Sequence, residues 1–94
     1  LELPVEFAVP AEVRGQDGKP ADIYRCFVIP TNLPRDMYIS AIEYRPGNPR
    51  VVHHVLGYVD TKGQAREKDA ADPGPGYECF GGPQIEVTND LSGW

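Results

Sequence analysis

Long apolar runs, an excess of basic residues, histidine and sulfur are all scarce in this 94-residue chain. No stretch approaches the roughly 18 apolar residues that a membrane-spanning helix needs, so a membrane span is not expected. Nine lysines and arginines stand against fourteen aspartates and glutamates, a formal net charge of −5. A chain with that balance repels a nucleic-acid backbone rather than binding it. Ser40 and Ser92 lie in no nucleophile-elbow context, and no glycine-rich phosphate loop precedes a helix. Cysteine is limited to Cys26 and Cys79, and histidine to the adjacent His53 and His54.

What the chain holds in abundance is glycine and proline, ten of each. Helix interiors tolerate neither, which excludes a helical bundle and favours a loop-rich β domain. The mean hydropathy of −0.41 is polar, but 40% apolar residues are enough for an ordered chain. The length allows one domain, residues 1–94, near the lower end of what folds on a single core. The chain opens at Leu1-Glu2-Leu3 without an initiator methionine or signal peptide and stops at Trp94. It reads as a mature, processed or excised piece of a longer protein.

Alternation and turn signals divide the chain into five short strands. Residues 3–9 suit an edge strand bracketed by Pro4 and Pro10. After the polar turn at 14–20, residues 22–29 read as a strand apolar on both faces and ended by Pro30. Residues 37–45 alternate and run into the turn Pro46-Gly47-Asn48-Pro49. Residues 51–60 are the most strand-like, with β-branched and aromatic side chains on both faces, and residues 85–88 suit a last strand. Residues 61–71 read as a charged, solvated loop, although Ala65 to Lys68 allow one helical turn. Asp69 and Asp72 read as solvated, with Asp72 suited to anchor the Pro73-Gly74-Pro75-Gly76 turn through its side chain. The pattern predicts an all-β, antiparallel β-sandwich, or part of one.

An even cysteine count in a small, turn-rich chain suggests a disulfide, and with it an extracytoplasmic compartment. Two unrelated buried thiols are the alternative; the spacing carries no zinc signature. The histidine pair lies mid-strand, where successive side chains point to opposite faces. One imidazole buried and hydrogen-bonded beside an exposed one is therefore one reading. The other is a shared metal, which neutral imidazole nitrogen suits for copper, zinc, iron and nickel, and which needs a twist or bulge there. Asp60, Glu43 and Glu78 are carboxylates available as a further ligand, but nothing in the spacing selects one.

The order of these residues resembles one family. Asp22 to Cys26 (DIYRC), the proline-containing loop, the alternation over 37–45, Pro46, and Val52-His53-His54-Val55-Leu56 are similar to the N-terminal domain of the copper type II, ascorbate-dependent monooxygenases. That family includes the peptidylglycine α-hydroxylating and dopamine β-monooxygenases. Residues 72–83 (DPGPGYECFGGP) resemble its bacterial members, often attached to cytochrome c or redoxin modules. The resemblance covers roughly residues 21–83 and implies a jelly-roll-like sandwich. It implies two copper sites in successive domains, the first supplying an electron and the second activating oxygen. His53 and His54 match adjacent ligands of the first copper, and Cys26 and Cys79 match a disulfide pair.

The chain departs from the family in holding no third histidine and no second domain. The expectation is a copper-binding, electron-transfer fragment with one ion weakly held, better as Cu(I) than as Cu(II), and no hydroxylation by the chain alone. The expected partners are a second copper domain or partner chain that completes the site, and a cytochrome or redoxin electron donor. The expected compartment is periplasmic or secreted. The alternative is a metal-free β-sandwich interaction module or subunit, with Tyr38, Tyr44 and Tyr58 supplying contacts.

Overall fold

The computed structural model describes residues 1–3, 6–87 and 89–94. Its regular elements are short: β1 (Arg25–Cys26), β2 (Leu56–Tyr58), α1 (Gln64–Ala71), β3 (Tyr77–Glu78) and β4 (Asp90–Gly93). They form two separate two-stranded antiparallel sheets, β1 with β3 and β2 with β4. Arg25 lies opposite Glu78 and Cys26 opposite Tyr77. In the other sheet Leu56 faces Gly93 and Gly57 faces Ser92, and the register then shifts so that Tyr58 faces Asp90. Leu91 is thus the extra residue of a bulge.

This architecture corrects the sandwich expectation: there is no jelly roll. A sandwich needs two multi-stranded sheets burying facing apolar surfaces. Here the buried core is Ala65, Tyr77 and Cys79, with Cys26, Val28 and Ile85 packed against it. Residues 30–43 are exposed throughout, so the alternation over 37–45 has no layer to pack on and forms no strand. The predicted strand at 22–29 contracts to β1, and that at 51–60 contracts to β2. Of the strand predicted over 3–9, Pro4 and Val5 lie outside the described residues, and the described part is irregular. Thr88 also lies outside them. Residues 85–87 form no strand; Glu86 N–H donates to Gln64 Oε1 (2.9 Å) at the start of α1, and the Glu86 carboxylate pairs with Lys62 just ahead of the helix. The last strand is β4, a few residues later.

The second correction is α1, where a loop was expected. Its start is organised by Asp60, whose carboxylate accepts the backbone N–H groups of Lys62 (3.1 Å), Gly63 (3.0 Å) and Ala65 (2.9 Å). Gly63 takes a left-handed conformation (φ 72°) at the helix entry. An acceptor at that point satisfies N–H groups that have no partner within the helix. The helix-forming run QAREKDAA continues from there and stops at Asp72, whose extended backbone suits the proline that follows. Ala65 is the helical residue that enters the core.

Packing remains sparse. The chain exposes 8000 Å², against roughly 5,400 Å² for a compact monomer of 10.4 kDa. Leu33, Met37, Tyr38, Ile39 and Ile42 contribute to that excess.

Candidate metal centre

Two loop-closing devices flank the functional candidates. The first is the disulfide Cys26–Cys79, with Cα atoms 5.9 Å apart and a sequence separation of 53. It joins the end of β1 to the residue after β3, and the Cys79 N–H donates to the Tyr24 carbonyl (3.1 Å) beside it. The alternative of two free thiols is therefore removed.

Around the bridge, Arg25 gathers the glycine–proline loop. Its Nε donates to the Pro75 carbonyl (2.9 Å), and its Nη2 donates to Asp72 Oδ1 (2.6 Å) and to the Gly76 carbonyl (3.1 Å). Its guanidinium carbon also lies 5.6 Å from the centre of the Phe7 ring. Asp72 in turn accepts the N–H of Gly74 (2.8 Å) and of Glu78 (3.3 Å). The side chain of Asp72 thus anchors the turn, as its position implied, but as half of a largely buried ion pair rather than a solvated acid. The hydrogen bond from Arg25, then the Gly74 N–H, hold its carboxyl below the usual value. For Asp60, desolvation pushes the carboxyl up, but the N–H groups of Ala65, Lys62, Gln64 and Gly63 together outweigh it and bring the value down.

The second device is the β2·β4 ladder. Val55 and Trp94 exchange both backbone hydrogen bonds at 2.8 Å, which continues the ladder one residue beyond the named strands. Upstream, the Asn48 carbonyl accepts the N–H of Val51 (3.2 Å) and Val52 (3.3 Å), and its side chain accepts that of Arg50 (3.1 Å). His53 and His54 are therefore held between a tight turn and a strand pair, although neither belongs to a strand.

Both imidazoles are exposed, which removes the reading of one buried, hydrogen-bonded histidine. Their ring centroids are 5.3 Å apart with planes inclined at 53°. With metal–nitrogen bonds near 2.0 Å, two imidazoles on one ion place their ring centres roughly 4.5 Å apart at a right angle and about 6.3 Å apart in line. The observed separation falls inside that span.

The carboxylates do not join them. Asp60 is occupied at the start of α1, Glu43 pairs with Arg45 (2.9 Å), and Glu78 lies in the other sheet. Among the described residues, no group of three or more histidine, cysteine, aspartate or glutamate side chains is placed to hold a metal. The tyrosines also divide: Tyr38 is fully exposed, whereas Tyr44 donates its hydroxyl hydrogen to the Ser92 carbonyl (3.1 Å) and Tyr58 sits half-buried in β2.

Sequence reasoning missed Trp94. An open surface hollow of about 580 Å³ is lined by Asp22, Pro49, Arg50, Val51, Val52, His53 and Trp94. The signal was available only through register, because Trp94 lies 40 residues downstream of His54.

The site is therefore an exposed pair of imidazoles at the end of a short β ladder, in a disulfide-closed chain low in regular structure. No protein-family model, curated protein or solved structure matches the chain. No described helix is long and apolar enough to cross a membrane.

Proposed function

We propose that His53 and His54 are two ligands of a copper ion that passes electrons within a copper-dependent monooxygenase-like protein. The observation that carries this reading is the separation of the two exposed rings, 5.3 Å between centroids. The sequence resemblance selects copper among the metals that imidazole suits. When bound, copper supplies one-electron chemistry. The chain's own residues hold and present it. The Asn48 turn and the Val55–Trp94 pair fix the backbone on either side of the histidines, so that neither ring needs a core contact. The exposure of both rings leaves room for a third ligand from a second copper domain or a partner chain, and for approach of a cytochrome or redoxin donor. The disulfide supports a periplasmic or secreted location, where such bonds persist.

The test is a competition titration of the 94-residue chain with Cu(I) against a coloured chelator. One equivalent bound, lowered at least about tenfold in affinity by either His53→Ala or His54→Ala, is expected, since even outer-sphere substitutions cost that much. Binding that survives the double substitution overturns the reading.

The large exposed apolar surface, with Tyr38 at its most accessible, favours a second reading: a metal-free interaction module or subunit. Metal-free protein that forms a stable complex with a partner, unaffected by the double histidine substitution, is its signature.

A further inference from the structure

We infer that residues 35–43 pair antiparallel with the same residues of a second copy of this chain, Ile39 lying on the two-fold axis; the inference is independent of the copper reading.

The segment has everything a strand needs except a neighbour. Residues 36–46 run without helix, turn or bend. Among the described residues, no backbone–backbone hydrogen bond involves any of residues 30–43, so their donors and acceptors are left to solvent. All of these residues are exposed, with Leu33, Met37, Tyr38, Ile39 and Ile42 the large apolar ones. A row of open backbone groups flanked by apolar side chains is a template for another strand. Its C-terminal end is tied down, because Tyr44 donates to the Ser92 carbonyl and its hydroxyl sits over Gly57. The area suffices as well. The chain exposes 8000 Å², and its excess over a compact monomer is about three times the roughly 800 Å² that each partner of a standard interface buries.

The sequence selects both the partner and the register. In a two-fold antiparallel pair, directly opposed residues share a face, and one residue meets its own copy on the axis. With Ile39 on that axis, Met37 stands opposite Ala41 and Arg35 opposite Glu43, each pair occurring twice. One face of the pair is then apolar at its centre and closed at both ends by opposite charges, which favour cross-strand pairing. Neighbouring registers lose this. An axis at Ser40 sets Arg35 against Arg45, one at Ala41 sets Glu43 against Ile39, and one at Tyr38 sets Glu43 against Leu33. Arg35 makes no ion pair among the described residues. Glu43 pairs with Arg45, but both side chains are at least 70% exposed, so exchanging that partner costs little. Pro34, with no N–H to offer a ladder, lies just outside the pairing. A two-stranded pair is marginal by itself, so the dimer is a weak one that forms at high concentration.

Sedimentation of the metal-free 94-residue chain, over concentrations up to the millimolar range, is the test. The expected result is a mass that rises from 10.4 kDa towards twice that value. Arg35→Glu sets a glutamate against Glu43, and Glu43→Arg sets an arginine against Arg35. Each alone weakens the dimer at least about fivefold, since like charges directly opposite are destabilising and each pair occurs twice. An equimolar mixture of the two variants, and the double variant, restore opposite charges at both ends and recover the dimer. Ile39→Lys places two ammonium groups on the axis and leaves the chain monomeric; with the charge pairs untouched, it also decides the matter if a charge variant loses its fold. An unsubstituted chain that stays monomeric throughout overturns the proposal. So does a dimer indifferent to Ile39→Lys, or one whose single charge variants recover nothing on mixing.

Discussion

Gly76→Ala is the substitution that most directly probes how the glycine–proline loop meets the disulfide. Gly76 has φ +68°, and a Cβ there would collide with the Cys26 carbonyl oxygen and stand 2.9 Å from Phe27 Cδ1. The left-handed conformation alone costs an alanine roughly 1–2 kcal/mol. The contact with Cys26 is to backbone, in a strand tied covalently to Cys79, so it cannot be relieved by rotating a side chain. The loop must withdraw by about 1 Å to restore an ordinary contact, which stretches the Arg25–Gly76 hydrogen bond from 3.1 Å past its useful range. A hydrogen bond to a charged group is worth about 1.5–3 kcal/mol. The combined loss is therefore about 2.5–5 kcal/mol, a large part of the stability of a domain this size. At about 4–8 °C per kcal/mol, the midpoint of thermal unfolding falls by roughly 10 °C or more. Gly81→Ala is the matched control, since Gly81 has φ +82° but nothing within 4 Å of the place a Cβ would take. It isolates the conformational cost. Circular-dichroism melts of both variants under oxidising conditions give the comparison. A Gly76→Ala midpoint within about 1 kcal/mol equivalent of Gly81→Ala refutes the close seating of the loop on Cys26.

Two further outcomes follow from the same corner of the molecule. Reducing the Cys26–Cys79 bridge, which spans 53 positions, removes about 4 kcal/mol on the chain-entropy model, read as a lower unfolding midpoint in phosphine reductant. Asp72→Asn changes the acid limb of stability. The Asp72 carboxyl is held below its ordinary value of 3.8, chiefly by Arg25, so its contribution is present above that value and lost as pH falls through the lower, folded one. Melts from pH 6 down to pH 2 therefore fall less steeply for Asp72→Asn than for the unsubstituted chain, and parallel curves contradict the ion pair.

Local chemistry was legible in the sequence, and long-range architecture was not. The Asp72 anchor, the polar turn at 14–20 and the cysteine pairing depend on residue type and near neighbours, and each has its counterpart in the structure. Asp17 Oδ1 accepts the Lys19 N–H (3.0 Å) in that turn, and an Arg14–Pro20 bridge closes it. Strand assignment failed because alternation records a capacity to cover a layer, not the presence of one. The helix was missed because glycine and proline dominate the composition, while its start depends on one acid, Asp60, placed ahead of a short helix-forming run. That acid followed by QAREKDAA was the signal available.

The histidine pair illustrates the boundary between the two kinds of information. Adjacency in sequence guaranteed nearness, but a regular strand would have sent the rings to opposite faces. Ladder pairing starts only at Val55, immediately after the pair, because the turn at Asn48 claims the chain from the other side. The irregularity that defeats the predicted strand over 51–60 is what allows both rings to be exposed 5.3 Å apart. A longer ladder through His53 and His54 would give a more regular sheet and a poorer site. On the proposed copper reading, the shortness of β2 is a condition for a shared ion, and a substitution that extends the strand through residues 53 and 54 is expected to weaken copper binding even where it stabilises the chain.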